Sequence, residues 1–464
     1  MQRQKQKCRR VARQENTILA SMSDSSPGSL DRELLSLALP TLVALLAEPL
    51  LLATDAALVG HLGTPQLAGL SLASTILSTL VGLCIFLAYT TTATTSRLFG
   101  VGKEREGLRH GIDGLYLAGI LGIILFILLQ ISAGPLISLF QDDPQTRSFA
   151  VSYLRASAFG LPGMLIVLAA TGVLRGMANT STPARVATVG ALVNIPLNAV
   201  LIYPAHLGVL GAGIGTALIQ TIMALALTRH ILVRARHHHV SLKLHGAGIL
   251  SSIRKGIPLI VRTASLRLAI LVQTAAASAL GVEILAANHI AMTMWNFAAY
   301  GLDALAIAAQ ILIGRELGKG EADEARALAD QCVTRSLKWG AILAVALFFG
   351  SFAVPYIMSS DETVRHLALI ALILCAFALP LASVTYMLDG ILIGAGDTKV
   401  LALYMCIALG VFTPLALIVA LAPFHTLGFL ALWICYAGVF MAIRAGTMLR
   451  RLRSNKWIVL GDGE

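Results

Sequence analysis

The sequence predicts an all-α integral membrane protein, with twelve transmembrane helices in two six-helix lobes related by a parallel internal repeat. Three observations predict it: long apolar runs, basic residues confined to one side of those runs, and a chain that matches itself at a fixed offset. Of 464 residues, 57% are hydrophobic and only 13% charged, and the mean hydropathy is +0.79. A soluble domain carries about 25% charged residues. This balance argues against a soluble enzyme, a nucleic-acid binder and a disordered chain. In a membrane protein the formal net charge of +11 reflects Lys and Arg on the cytoplasmic side, not nucleic-acid binding.

A spanning helix needs about 20 mostly apolar residues. Twelve stretches qualify: 34–60, 67–95, 112–140, 149–174, 185–203, 209–232, 251–279, 285–312, 334–358, 364–393, 399–422 and 426–449. Their lack of period-two alternation favours helices over a barrel. Residues 1–30 are polar and basic without an apolar h-region, so they read as a cytoplasmic tail and not as a secretory signal peptide. Met22 is an alternative start on this reading.

Orientation follows from Lys and Arg. The N-terminal tail, the even-to-odd loops and the C-terminal tail hold 30 of the 35 basic residues, against three on the opposite side and Arg262 and Arg267 inside span 7. That asymmetry places both termini in the cytoplasm of a cell (inner) membrane.

The repeat has an offset of 218. Pro40 meets Pro258, Gly63 meets Gly281, Arg97 and Gly100 meet Arg315 and Gly318, and Gly172, Gly176 and Thr180 meet Gly390, Gly394 and Thr398. Six helices per half give both halves the same orientation, hence a repeat axis along the membrane normal. The expected division is a tail over 1–30, an N-lobe over 31–232, a cytoplasmic linker over 233–250, a C-lobe over 251–450 and a tail over 451–464. Two lobes around a central site suit an alternating-access carrier.

The sequence holds no P-loop, no H-E-x-x-H and no G-x-S-x-G. The six cysteines lack ligand spacing, and His237–His239 read as part of a solvated linker. No enzyme activity, cofactor or metal is expected, so transport energy must come from a gradient.

Ionisable groups inside spans cost roughly 2.5–3.5 kcal/mol each on insertion scales and therefore face a cavity or a partner. They are Glu48 and Asp55 in span 1, Arg262 and Arg267 in span 7, Asp303 in span 8 and Asp389 in span 10. Glu48 and Asp55, seven apart, share a helix face. So do Asn194 and Asn198 in span 5, with Pro196 between them expected to bend the helix. Asn296, Asp303 and Gln310 form a stripe on span 8. These groups break the repeat, since Asp55 meets Gln273, Asn198 meets Ala416 and Asp303 meets Ile85. Symmetric punctuation with asymmetric charge points to one scaffold and two specialised lobes. A buried ion pair remains open for Asp303 with Arg262 or Arg267, and a helix-end contact for Asp389.

Glu48–Gly63 (EPLLLATDAALVGHLG), Gly172–Pro183 (GVLRGMANTSTP), Gly390–Lys399 (GILIGAGDTK) and Ala286–Gly318 together resemble the multidrug and toxic compound extrusion (MATE) transporters, especially their DinF branch. The similarity covers about residues 31–450. It implies a two-lobe exporter of amphipathic, usually cationic, drugs or metabolites by proton or sodium antiport. In relatives with an N-lobe proton site, a helix 1 aspartate is hydrogen-bonded to groups in helices 5 and 6. Asp55 matches that aspartate, Asn194 the helix 5 asparagine and Thr216 the helix 6 threonine. Asn198 stands where many relatives carry a second aspartate, which leaves Asp55 as the main titrating group. Arginines in span 7 replace the acid of sodium-coupled relatives, so H+ is the expected coupling ion, with Asp389 as a partial substitute for a sodium ligand.

Burial disfavours a charged carboxylate. A proton arriving from outside is therefore expected to neutralise Asp55 and release a cationic substrate. The alternative is a flippase-like or anionic-substrate exporter of the same superfamily that uses Arg262 and Arg267. A membrane scaffold or enzyme without transport is a third reading, which no residue set supports. The expected partners are the lipid bilayer and small amphipathic substrates, with no nucleic acid, and the expected state is a monomer.

Overall fold

The computed structural model describes residues 27–421 and 425–461. The basic segment before residue 27, with Cys8 and the alternative start at Met22, lies outside the described residues. Among the described residues every regular element is helical.

Span 1 is Pro27–Gly60, span 2 is Thr64–Leu83 with Phe86–Gly100, and span 3 is Glu104–Ser138. Span 4 joins Pro144–Ala158 to Leu161–Gly176 through a 50° bend. Spans 5 and 6 are Ser181–Ile202 and Gly208–His237. The second lobe runs through span 7 (Gly246–Leu280), span 8 (Val282–Lys319), span 9 (Ala322–Gly350, followed by a short helix Val354–Met358), span 10 (Glu362–Gly394) and span 11 (Thr398–Ala420). Span 12 is His425–Trp433 and Met441–Arg453, joined by the π-helical turns Ile434–Phe440. Among the described residues, eleven helices are long and apolar enough to cross a membrane, and the bent pair, taken as one span, makes a twelfth. Ile131, Leu225, Phe377 and Ile418 stand exposed, as a bilayer solvent allows.

Several helices outrun their apolar stretches. Span 9 starts at Ala322, a full three turns before its hydrophobic run, because Ala322–Gln331 is rich in strong helix formers. It stops at Gly350, and Pro355 opens the short helix that follows. Spans 6 and 7 extend to His237 and from Gly246, which shortens the non-helical linker to 238–245. Two helix starts are capped by a preceding aspartate. Asp143 accepts the Thr146 N–H at 2.8 Å, and Asp361 accepts the Val364 N–H at 2.9 Å. The span 5 helix is continuous through Pro196.

The backbone repeats with the sequence. Ala178 and Gly396, 218 apart, end spans 4 and 10 with left-handed φ of 57° and 74°. At the crossing of the lobes, a Cβ on Gly100 would collide with the backbone of Arg315, and a Cβ on Gly318 with the backbone of Arg97. The two contacts are equivalent under the repeat, so spans 2 and 8 touch backbone to backbone at its axis. Side chains reinforce the crossing from each lobe. Arg97 donates to the carbonyls of Gly394 (3.4 Å) and Ala395 (2.6 Å), Arg315 meets Glu33 at 3.1 Å, and Asp31 pairs with Arg335.

Arg97, Arg175 and Arg444 are among the 30 basic residues that the sequence assigns to loops and tails, and the structure corrects that assignment. All three are buried, because the helix segments that carry them are covered by neighbouring spans. The segment after Arg453 also packs back on the protein. Trp457 is buried, and the Gly461 N–H donates to the Leu317 carbonyl at 3.1 Å. The linker is held to span 3, with Tyr116 donating to the Leu242 carbonyl at 2.8 Å.

Candidate functional site

A cavity of about 500 Å³ lies between the lobes. Its charged lining residues are Glu48, Asp55, Arg175, Arg267 and Asp303, set among apolar and aromatic side chains such as Tyr89 and Tyr300.

On the N-lobe wall, Asp55 is 2% exposed and held by neutral donors. The Asn198 amide donates to Oδ1 at 2.5 Å, and the Thr216 hydroxyl donates to Oδ2 at 3.1 Å. Asn198 also donates to Asn194 Oδ1 at 3.1 Å. Spans 1, 5 and 6 thus meet at one carboxyl group. Gly215 makes the approach of span 6 possible, since a Cβ there would run into Asn198 Oδ1. The Tyr153 hydroxyl lies buried nearby, also on the cavity wall.

The C-lobe solves its buried charge differently. Arg262 and Arg444 both place Nη2 on Asp389 Oδ2, at 2.7 and 2.6 Å. Each guanidinium also lies over an aromatic ring, Arg262 over Tyr89 at 5.7 Å and Arg444 over Phe440 at 5.5 Å. Asp389 is therefore the centre of a buried ion cluster and not a helix-end contact. Its partners lie 127 and 55 residues away in sequence.

The candidate residues divide accordingly. Glu48, Asp55, Asn194, Thr216, Arg267 and Asp303 line the cavity. Asn198 touches Asp55 from behind and is itself fully buried. Arg262 and Asp389 do not line the cavity, because they are sealed against each other in the C-lobe. Gln273 is buried there too, donating to Asn288 at 3.3 Å, so the repeat partner of Asp55 is a packing amide. Asn296 is exposed away from the cavity. Gln310, two heptads further along the same span, lies at the lobe interface and donates to the Tyr89 carbonyl at 2.9 Å. Asp303 forms no ion pair with Arg262 or Arg267. Sequence reasoning missed Arg175, Arg444 and Tyr153. Arg175 sits in the last turn of span 4, where a loop charge and a buried one look alike, and Arg444 lies inside span 12, nine residues before its end.

Twelve apolar spans in two repeated lobes, closed around a charged cavity, define a multi-pass membrane transporter with no catalytic set. The chain belongs to the MatE family, the multidrug and toxic compound extrusion transporters, whose family model matches residues 40–200 and again 258–418. The second match lies 218 residues after the first at both ends, the offset of the internal repeat. Protein DETOXIFICATION 44, chloroplastic, of Arabidopsis thaliana is 27% identical over 452 residues, covering 94% of this chain and 85% of the relative. DNA damage-inducible protein F of Escherichia coli K12 is 27% identical over 441 residues, covering 92% and 94%. The Vibrio cholerae MATE transporter VcmN, solved in its bent form, shares the fold with a TM-score of 0.84 at 20% identity, covering 93% of this chain and 99% of that one. The protein is thus a MATE-family efflux transporter and not an enzyme.

Proposed function

We propose that the protein exports amphipathic substrates by antiport with protons, through alternating access of its two lobes to a central cavity. It acts as a monomer in the cell (inner) membrane with both termini cytoplasmic, and its only partners are lipid and small substrates. The observation that carries the coupling is the network at Asp55. As a carboxylate it accepts from both Asn198 and Thr216. A proton on either oxygen turns an acceptor into a donor. The Thr216 hydroxyl can rotate to accept it, while the Asn198 NH2 group on the other oxygen only donates. Protonation therefore rearranges the contact between spans 1 and 6 and removes a negative charge from the cavity wall. A cationic group favours the charged form, so proton and substrate favour different states, as coupling requires.

The test is drug-evoked proton release from proteoliposomes, with and without sodium, for wild type and Asp55→Asn. The expected result is sodium-independent release that vanishes in the variant. Uphill drug export by Asp55→Asn would refute the reading. An anion-exporting reading loses Arg262, which is committed to Asp389, but keeps Arg267 on the cavity wall. Transport assays with charged substrate panels separate the two.

A further inference from the structure

Most buried arginines of this protein are occupied. Arg262 and Arg444 meet on Asp389, and Arg97 holds the last carbonyls of span 10. The cavity arginines are different. Among the described residues, no hydrogen bond or ion pair reaches the guanidinium of Arg175 or Arg267. Arg267 is exposed, lies against Gly82 and faces Glu48 electrostatically. Arg175 is only 6% exposed, and it lines the cavity from the last turn of span 4. It interacts electrostatically with Tyr89 and Asp303, yet neither is bonded to it.

A guanidinium taken out of water without an acceptor carries an uncompensated desolvation cost. The Nε atoms of Arg262 and Arg444 are sealed in without a partner, whereas no nitrogen of Arg175 is sealed off. The donors of Arg175 therefore remain reachable from the cavity. A planar fork of donors matches a carboxylate in two parallel bonds, a geometry that a lysine cannot supply. The same cavity presents Glu48 and Asp55 from span 1. It is also large enough for a drug-sized molecule, for which pockets run from about 300 to 1,000 Å³.

We propose that Arg175 is a specificity-determining residue that takes the carboxylate of a zwitterionic amphiphile, whose cationic group lies toward Glu48 and Asp55. This rests on the cavity being the substrate site and is independent of the coupling ion. The acidic and basic charges of the cavity thus serve one ligand that carries both.

The test is equilibrium binding to purified protein in detergent, where no gradient exists, so a failure of proton coupling does not affect it. The probes are rhodamine B, a zwitterion with a free carboxylate, and its ethyl ester, in which that carboxylate is masked. Fluorescence anisotropy is read for wild type, Arg175→Gln and Arg175→Lys. Arg175→Gln is expected to weaken rhodamine B at least tenfold and the ester less than twofold. Arg175→Lys, which keeps the charge without the fork, is expected to weaken rhodamine B by three- to tenfold and to leave the ester unchanged. Equal weakening of both probes in either variant would make Arg175 structural and overturn the proposal. So would unchanged binding of rhodamine B, or no binding of either probe to wild type. Should Arg175→Gln not fold, the Lys variant and the two probes decide the matter alone.

Discussion

Replacing Asp389 by Asn should destabilise the C-lobe more than removing either arginine that binds it. Both Nη2 atoms sit on the same carboxylate oxygen, at 2.7 and 2.6 Å, so they are at most about 5.3 Å apart. At an effective dielectric constant of about 20, two unit charges at that separation repel by roughly 3 kcal/mol. With the carboxylate in place, two attractions outweigh that repulsion; with Asn in place only the repulsion is left. Asp389, Arg262 and Arg444 are 2, 5 and 1% exposed, so water does not screen it. Asp303 offers less compensation, because it lies on the cavity wall and touches neither guanidinium. Leaving a buried charge uncompensated costs about 3–5 kcal/mol, and Asp389→Asn belongs at the upper end. Arg262→Met or Arg444→Met instead leaves one balanced pair and should cost roughly half as much. Replacing all three by Leu, Met and Met should recover most of the loss, since apolar isosteres of a buried ion cluster are often neutral. The assay is thermal unfolding in detergent, followed by size-exclusion retention. A loss for Arg262→Met equal to or larger than that for Asp389→Asn would refute the charge-balance reasoning.

Two further predictions follow from local backbone features. Ala178 adopts the left-handed conformation that its repeat partner Gly396 adopts without a Cβ. That conformation costs an L-residue roughly 1–2 kcal/mol, so Ala178→Gly should raise stability by about 1 kcal/mol in the same assay; a loss of stability would refute the repeat-based reading of the turn. Asp143 caps the first helix of span 4, and the hydroxyl and N–H of Thr146 hold its carboxyl below the usual carboxylate range. A depressed carboxyl contributes stability above its unfolded titration range and loses it as pH falls through the folded one. Asp143→Ala should therefore be less stable than wild type at pH 7, with a gap that narrows once pH drops below about 4. A gap that is constant from pH 7 to pH 3 would show that the cap's charge contributes nothing.

The spans and the repeat were legible because they depend on local or chain-wide patterns. Twenty apolar residues announce a span whatever packs against it, and Pro40 with Pro258 or Gly100 with Gly318 mark turns and crossings by residue type alone. Pairing depends on the fold. Asp389 lies near the turn that ends span 10, and nothing local distinguishes a helix-end contact from a carboxylate gripped by Arg262 and Arg444. Arg175 falls just past the predicted end of span 4, and Arg444 groups with the basic cluster that ends span 12, so both are assigned to water. Their burial follows from neighbouring spans that cover them, which no window of sequence contains. Asn296 failed because a shared face says nothing about depth: it lies two turns, about 10 Å, along span 8 from Asp303, and the cavity meets Asp303 and misses Asn296.

The two lobes hold their buried aspartates with partners of different chemistry, and the proposed proton antiport draws on that difference. The partners of Asp389 are guanidiniums, which donate only and keep their charge at any physiological pH. The two cations converge on one carboxylate oxygen, so the cluster is a fixed set of three charges. Asp55 is held by an amide and a hydroxyl, both neutral. Its protonation strands no charge, and the Thr216 hydroxyl can reverse its role from donor to acceptor. A symmetric backbone with reciprocal contacts at Gly100 and Gly318 can rock as one unit whichever lobe senses the proton. On the proposed proton antiport, the asymmetry of buried charge divides the tasks: the C-lobe carboxylate is committed to two arginines, and the N-lobe carboxyl is the one whose proton alters the contacts among spans 1, 5 and 6.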